Sequence, residues 1–212
     1  GIECRPVTPE VAGSNPVSTA LMEIKMAENY WYANLKKEVE DKIRNIPDFP
    51  KEGIQFKDIT PVIKDVNLFE KLMSYYASTL SKNGINKIVG VDARGFIFGS
   101  VLANKMGIPF VIARKAGKLP SKTASYSYEL EYGNATIEMH IDDIKSSDNV
   151  LIVDDLLATG GTVDAVVNLV QKLGGTVHGC WFLIELGFLE GRFKIIKSVT
   201  NYDFKFYSLI EY

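Results

Sequence analysis

The chain has 212 residues, of which 46% are hydrophobic and 24% are charged. At roughly 100–200 residues per domain this length fits one domain, and the apolar content excludes disorder over most of the chain. The 24 basic and 26 acidic residues leave a formal net charge of −2, which argues against a broad nucleic-acid-binding surface.

Two cysteines are too few for a disulfide framework, and with two histidines a His/Cys metal site is not expected. This cysteine usage is typical of a reducing cytoplasm. No apolar run reaches the roughly 18–20 residues of a membrane-spanning helix, so we expect no membrane partner. Residues 1–25 contain three prolines and no periodicity, and we expect an expression remnant or a disordered tail there. Residues 26–212 are expected to form a single domain.

Two helices separated by a loop are the first elements predicted after that tail. The apolar residues of the first helix recur every four positions and are Trp31, Leu35, Val39 and Ile43. This helix stops before Pro47, and a loop with prolines and a glycine spans 47–61. The apolar face of the second helix, which ends near Gly84, consists of Phe69, Leu72, Met73, Tyr76 and Leu80.

From residue 87 onward the sequence alternates between apolar strands and helices. Strands are predicted at 87–91, 110–113, 135–141, 150–153 and 177–184. Helices are predicted at 95–105 and 163–173, and a long polar loop at 115–133. Continuous apolar strands that alternate with helices indicate an α/β fold with a parallel sheet, in which ligands bind beyond the carboxyl ends of the strands.

The strongest chemical motif follows the apolar strand at 150–153. Two adjacent acids, Asp154 and Asp155, come first. The turn into the next helix then consists of small residues, namely Ala158, Thr159, Gly160, Gly161 and Thr162. Backbone N–H groups, threonine hydroxyls and the helix dipole would make this turn a phosphate site, and the carboxylates could accept hydrogen bonds from sugar hydroxyls. The motif therefore predicts a phosphorylated sugar as ligand.

Two further strand ends carry groups suited to a pyrophosphate. The first is Asp92-Ala93-Arg94-Gly95, where free backbone N–H groups at the start of the predicted helix lie next to the guanidinium of Arg94. The second is the cationic run Arg114, Lys115 and Lys118. Both segments follow strands of the predicted sheet.

Two polar loops complete the set of candidate segments. The loop at 125–133 is a candidate lid that would exclude water, and both Glu129 and Glu131 have the chemistry of a proton-transferring group. The loop at 46–61 offers the aromatic Phe56 for stacking on a flat base.

Together these motifs resemble those of the type I phosphoribosyltransferases, and from about Trp31 to Tyr212 the chain is similar to the branch of that family that uses adenine. The resemblance implies a central, mostly parallel sheet flanked by helices, a small hood at about 46–61 and a flexible catalytic loop at about 115–133. It also implies a homodimer.

The implied reaction is the reversible transfer of phosphoribosyl from 5-phosphoribosyl-1-pyrophosphate (PRPP) to N9 of adenine, which gives AMP and pyrophosphate in purine salvage. The resemblance assigns the 5′-phosphate to residues 158–162 and the ribose to Asp154 and Asp155. Pyrophosphate is assigned to Ala93, Arg94, Gly95, Arg114, Lys115 and Lys118. Adenine is assigned to Gln55, Phe56 and Lys57, proton transfer to Glu131, and a place on the lid to Tyr132. Mg²⁺ is expected to be held mainly by PRPP or pyrophosphate and water, without a dedicated protein site.

One position separates adenine from 6-oxopurines. Relatives that use hypoxanthine and guanine carry an aspartate where this chain has Ala158, and that aspartate handles the purine proton. Two alternatives stay open: a transferase for another purine or pyrimidine, and a regulator that senses PRPP without catalysis. The stretch 187–206 looks longer than the family pattern, and no role is predicted for it.

Overall fold

The computed structural model describes residues 16–129 and 133–212. The helices are α1 (Pro16–Lys42), α2 (Thr60–Lys64), α3 (Val66–Leu80), α4 (Gly95–Met106), α5 (Gly161–Lys172) and α6 (Gly191–Ser198). The strands are β1 (Arg44–Pro47), β2 (Gln55–Asp58), β3 (Lys87–Val91), β4 (Phe110–Lys115), β5 (Thr123–Glu129), β6 (Asn134–His140), β7 (Asn149–Leu157), β8 (Thr176–Glu185) and β9 (Lys205–Glu211).

The main sheet has the strand order β5-β6-β4-β3-β7-β8-β9. Strands β4, β3, β7, β8 and β9 are parallel neighbours, whereas β5 and β6 form an antiparallel hairpin at one edge. The α/β fold with a mostly parallel sheet is thus confirmed. The carboxyl ends of β3, β4 and β7 lie side by side, which brings the segments that follow them to one edge of the sheet.

Both faces of the sheet are buried, which explains why its central strands read as unbroken apolar runs. On one face Leu72, Phe98 and Trp181 belong to a single core cluster with residues of α1, α3 and α4. On the other face Val166 and Val170 of α5 belong to a second cluster. Packing on both sides fixes the ends of β3 and β7, and the polar groups that follow them, in a rigid frame.

The predicted loop at 115–133 is partly wrong, because residues 123–129 form β5. This strand pairs with β6 along its whole length, from Thr123 opposite His140 to Glu129 opposite Asn134. Its two tyrosines, Tyr126 and Tyr128, alternate with polar residues and pack against the α5 cluster. This is the two-residue period of a strand, hidden by the high content of serine and threonine.

The predicted loop at 47–61 is partly wrong, because residues 55–58 within it form β2 and α2 begins at Thr60. The first helix also ends earlier than predicted, at Lys42, and residues 44–47 form β1. Strands β1 and β2 pair from Arg44 opposite Asp58 to Pro47 opposite Gln55, and Arg44 forms an ion pair with Asp58. Each strand has four residues, too few for a recognisable alternation.

Helix α1 begins at Pro16, well before the apolar stripe that starts at Trp31. Of the predicted tail, residues 16–25 form the start of this helix and residues 1–15 lie outside the described residues. Residues 20–28 are mostly strong helix formers such as Ala, Leu, Met, Glu and Lys, so propensity rather than burial accounts for the extension. None of the helices in the described ranges combines the length and apolar content needed to cross a bilayer.

Candidate active site

The floor of the candidate site is the carboxyl end of β7, where Asp154 and Asp155 are adjacent. The backbone N–H of Asp155 donates to the Asp154 carboxylate at 2.9 Å. Burial raises the pKa of Asp154 well above its ordinary value, and the neighbouring charge of Asp155 raises it further. Burial also raises the pKa of Asp155, an effect that Arg94 opposes. The site therefore holds acidic groups that favour hydrogen-bond donors or a cation beside them.

The residues that follow, from Leu156 near the end of β7 to Val163 in the first turn of α5, surround a small concavity of about 90 Å³ with Asp154. Gly160 adopts a φ of +80°, and a Cβ there would lie 2.5 Å from the carbonyl oxygen of Gly191. Both the backbone conformation and the close approach of the α6 segment therefore require glycine. The predicted phosphate-binding residues from Ala158 to Thr162 all line this concavity.

The loop after β3 lies beside the first one because α4 begins directly against β7. A Cβ on Gly95 would overlap the carbonyl oxygen of Val153 and lie 3.1 Å from the Cα of Asp154. Arg94 reaches across this contact, and its Nε lies 3.0 Å from Oδ2 of Asp155. The two motifs that the sequence separates by about sixty residues are thus in direct contact.

A second cavity of about 320 Å³ joins the two motifs. Its lining consists of Asp92, Ala93, Arg94, Lys115, Asp154, Asp155, Leu156 and Thr162. Arg114 lies at its margin, with Nε 3.0 Å from Oδ2 of Asp92. Lys118 is exposed, and its carbonyl oxygen accepts a 3.4 Å hydrogen bond from Arg114. Of the three predicted cations on this segment, the structure brings Lys115 into the cavity, holds Arg114 beside it and leaves the Lys118 side chain in solvent.

The β1–β2 hairpin contacts the site through one of the three residues assigned to the base. The guanidinium carbon of Arg94 lies 5.6 Å from the centre of the Phe56 ring, which also packs edge-on against Phe49. Gln55 instead accepts a hydrogen bond from Asn45 at 2.8 Å, and the Lys57 ammonium lies over the Tyr212 ring. Phe56 is therefore the aromatic side chain of the hairpin that borders the predicted pyrophosphate loop.

The edge hairpin supplies a contact that the sequence did not indicate. The Tyr128 hydroxyl lies 3.0 Å from the Thr162 hydroxyl, and its ring packs over Gly161. The sequence feature that could have indicated this contact is the alternation of Tyr126 and Tyr128 with polar residues, which is typical of a strand with one buried face. Glu131 and Tyr132, assigned to proton transfer and the lid, lie outside the described residues, and of Glu129 the structure describes the backbone at the end of β5.

Comparison with known proteins identifies the family of the chain. A family model described as "phosphoribosyl transferase domain" matches residues 62–203. The curated adenine phosphoribosyltransferase of Geobacter metallireducens is 51% identical over 158 residues, which cover 74% of this chain and 92% of that protein. The chain belongs to the adenine phosphoribosyltransferase family.

Solved structures of this family have the same architecture. The adenine phosphoribosyltransferase from Thermoanaerobacter pseudethanolicus is 48% identical, with a TM-score of 0.76 over 84% of this chain and 99% of that one. The enzyme from Saccharomyces cerevisiae is 37% identical, also with a TM-score of 0.76 over 84% and 99%, and was crystallised with adenine and an imino-altritol bisphosphate. As a family member the protein is a pentosyltransferase.

The carboxylates of the site indicate which ligands it could bind. Among the described residues no three His, Cys, Asp or Glu side chains come together as a metal cage. Oδ2 of Asp155 is buried and makes no hydrogen bond within the described residues, although Arg94 lies beside it. Carboxylate oxygens and waters are the ligands that Mg²⁺ prefers, so Asp154 and Asp155 suit a hydrated ion or the hydroxyls of a sugar.

Proposed function

We propose that the protein transfers the phosphoribosyl group of PRPP to N9 of adenine, giving AMP and pyrophosphate, in a reversible reaction that requires Mg²⁺. The observation that carries this proposal is the pair of adjoining cavities around Asp154, one bounded by the phosphate loop and the other by the Arg94 loop. Their separation into two anion sites on either side of paired carboxylates matches a sugar with phosphate at one end and pyrophosphate at the other.

The proposed binding mode follows from the groups that each cavity offers. The 5′-phosphate would lie in the loop from Ala158 to Thr162, where N–H groups at the start of α5 favour an anion. The ribose hydroxyls would donate to Asp154 and Asp155 and satisfy the buried Oδ2 of Asp155. As positive charge develops at the anomeric carbon, these carboxylates would stabilise it without changing position.

The pyrophosphate would lie on the N–H groups of Ala93, Arg94 and Gly95, with the Arg94 and Lys115 cations beside it. Arg114 would approach from the margin, held in orientation by Asp92. Mg²⁺, when bound, supplies charge neutralisation of the leaving pyrophosphate. The chain's part is to hold both ends of the donor, since orientation alone can lower a barrier by roughly 7–11 kcal/mol.

Adenine as acceptor is supported by three observations. Phe56 presents an aromatic ring beside Arg94, where a flat base could pack. Ala158 offers no carboxylate to the proton of a 6-oxopurine, and relatives about 50% identical are named for adenine. Glu131 would carry the proton of N9 and Tyr132 would lie on the lid. By the same resemblance, we propose a cytoplasmic homodimer.

The decisive experiment is a base screen with PRPP and Mg²⁺, offering adenine, hypoxanthine, guanine, xanthine or orotate in turn and following pyrophosphate release. We expect release with adenine. Release with a 6-oxopurine alone would contradict the argument from Ala158 and leave the donor site intact. PRPP binding without release for any base would indicate a regulator. Omission of Mg²⁺ with excess chelator should abolish turnover.

A further inference from the structure

Helix α6, for which the sequence predicted no role, is built against the phosphate loop. The carbonyl oxygen of Gly191 lies 2.5 Å from where a Cβ on Gly160 would be, and a Cβ on Gly191 would overlap the carbonyl oxygen of Ala158. The helix begins at Gly191, so its first turn cannot move independently of the loop. Its position is secured by Arg192, whose guanidinium donates two hydrogen bonds to the Glu185 carboxylate at the end of β8.

The second residue after Arg192 is a lysine that lies over the same loop. The Lys194 ammonium nitrogen is 3.4 Å from where a Cβ on Gly161 would be, next to the Tyr128 ring. The side chain is exposed, and within the described parts of the chain no carboxylate lies within the 4.0 Å of an ion pair with it. By contrast, the guanidinium groups of Arg94 and Arg114 lie against Asp155 and Asp92.

The charge balance of the phosphate loop is otherwise negative. Asp154 borders the concavity, and Asp164 lies in the first turn of α5 with one buried carboxylate oxygen that has no partner among the described residues. Backbone N–H groups and threonine hydroxyls donate hydrogen bonds there but carry no net charge. A cation beside the loop would offset these acids when a phosphate dianion enters, and Lys194 lies next to Gly161 of the loop on a flexible stem.

We infer that Lys194 is a binding residue for the 5′-phosphate of PRPP and AMP, and that it makes the site selective for phosphorylated ligands. This inference rests on the proposed function, since it takes the 5′-phosphate to occupy the loop at 158–162. Because the phosphate carries the same charge throughout the reaction, Lys194 binds ground state and transition state equally. Its loss should therefore raise the KM for PRPP and leave kcat unchanged.

The test compares Lys194→Ala and Lys194→Arg with the wild type and with Lys197→Ala. Lys197 is a suitable control because it is exposed, lies one turn further along α6 and makes no ion pair within the described residues. We expect Lys194→Ala to raise the KM for PRPP and the Kd for AMP about tenfold, as for loss of one charged hydrogen bond, with the KM for adenine and the melting temperature unchanged. For Lys194→Arg, the KM for PRPP and the Kd for AMP should stay within about threefold of the wild-type values. For Lys197→Ala, both values should equal those of the wild type.

Several results would overturn the inference. An active Lys194→Ala variant with wild-type KM for PRPP and Kd for AMP would exclude the role while leaving the proposed function intact. Equal losses in Lys194→Ala and Lys197→Ala, or a parallel rise in the KM for adenine, would show a general effect on α6 instead. If the wild type itself neither binds AMP nor turns over PRPP, the proposed function fails, and the inference fails with it.

Discussion

The ion pair between Arg192 and Glu185 is the attachment of α6 whose removal should have the clearest effect. The Glu185 side chain is 5% exposed and that of Arg192 is 41% exposed. Ser208 donates a third hydrogen bond to the same carboxylate at 2.6 Å. Arg192→Met keeps much of the aliphatic volume and removes two charge-assisted hydrogen bonds from a buried anion. Since Arg192 is partly in water, we expect a loss at the lower end of the range for broken buried pairs, about 3 kcal/mol.

For a chain of this length, 1 kcal/mol corresponds to about 2–4 °C, so the melting temperature should fall by about 6–12 °C. The loss should depend on pH. Burial alone would raise the pKa of Glu185, but the bonds from Arg192 and Ser208 hold it below its ordinary value of 4.5. The stability contributed by the pair is therefore present above pH 4.5 and is lost as the pH falls through the lower pKa of the folded state. The difference in melting temperature between Arg192→Met and the wild type should therefore become smaller as the pH falls.

Two control variants separate the effect of leaving a buried charge unpaired from the effect of a general loss of stability. In Arg192→Met/Glu185→Gln no buried anion is left unpaired, so the double variant should recover more than half of the loss, as measured by urea unfolding. Leu209→Ala, in the core on the far side from α5, should cost a similar 2–5 kcal/mol without touching the phosphate loop. Only Arg192→Met should also raise the KM for PRPP. Arg192 holds α6 in place, and Gly191 at the start of α6 packs against the phosphate loop. A double variant as unstable as the single one, or equal KM values in both single variants, would refute this reasoning.

Three further substitutions test the site itself. Asp154→Asn should raise the melting temperature at pH 7.5 by a few degrees, about 0.5–2 kcal/mol, and abolish turnover. Because the pKa of Asp154 is raised in the folded protein, the wild type loses stability as the pH rises above 3.8. Thermal melts below that pH should therefore show no stabilisation of Asp154→Asn over the wild type. Tyr128→Phe, which removes the bond to Thr162, should cost about 0.5–1.5 kcal/mol in urea unfolding and raise the KM for PRPP less than tenfold in steady-state assays. Glu131→Ala should lower kcat far more than PRPP affinity, and full turnover in that variant with loss in Glu129→Ala would reassign the proton-transferring group.

The part of the fold that the sequence predicts is the part that depends on local pattern. Strands β3 and β7 are buried on both faces, so their apolar runs are continuous. Each run ends at an acid, Asp92 or Asp154, although β7 itself continues to Leu157. Because parallel neighbours share a carboxyl edge, the two motifs could be expected to meet there. Lys57 and Gln55 were assigned by resemblance alone, and the structure directs both side chains to partners outside the cavity.

The elements that the sequence did not reveal depend on contacts between distant residues. In α6 the buried positions are Gly191 and Ile195, which is too little for an apolar stripe. The contacts of Tyr128 with Thr162 and of Gly191 with Gly160 join segments about thirty residues apart. No spacing within either segment indicates them, because each is set by how α5 packs on the sheet.

Arg94 contacts both the ribose acids and the aromatic ring of the β1–β2 hairpin, and the shape of its guanidinium explains how. Its Nε lies beside Asp155, and its terminal carbon lies over the Phe56 ring. The terminal amino groups then remain available to an anion on the neighbouring N–H groups of the loop. A lysine has a single nitrogen and could not face the ribose acids, the base-side ring and a pyrophosphate together. In the proposed reaction, the same cation therefore moderates the repulsion between the two aspartates and holds the group that leaves, which ties the charge at the sugar to occupancy of the pyrophosphate site.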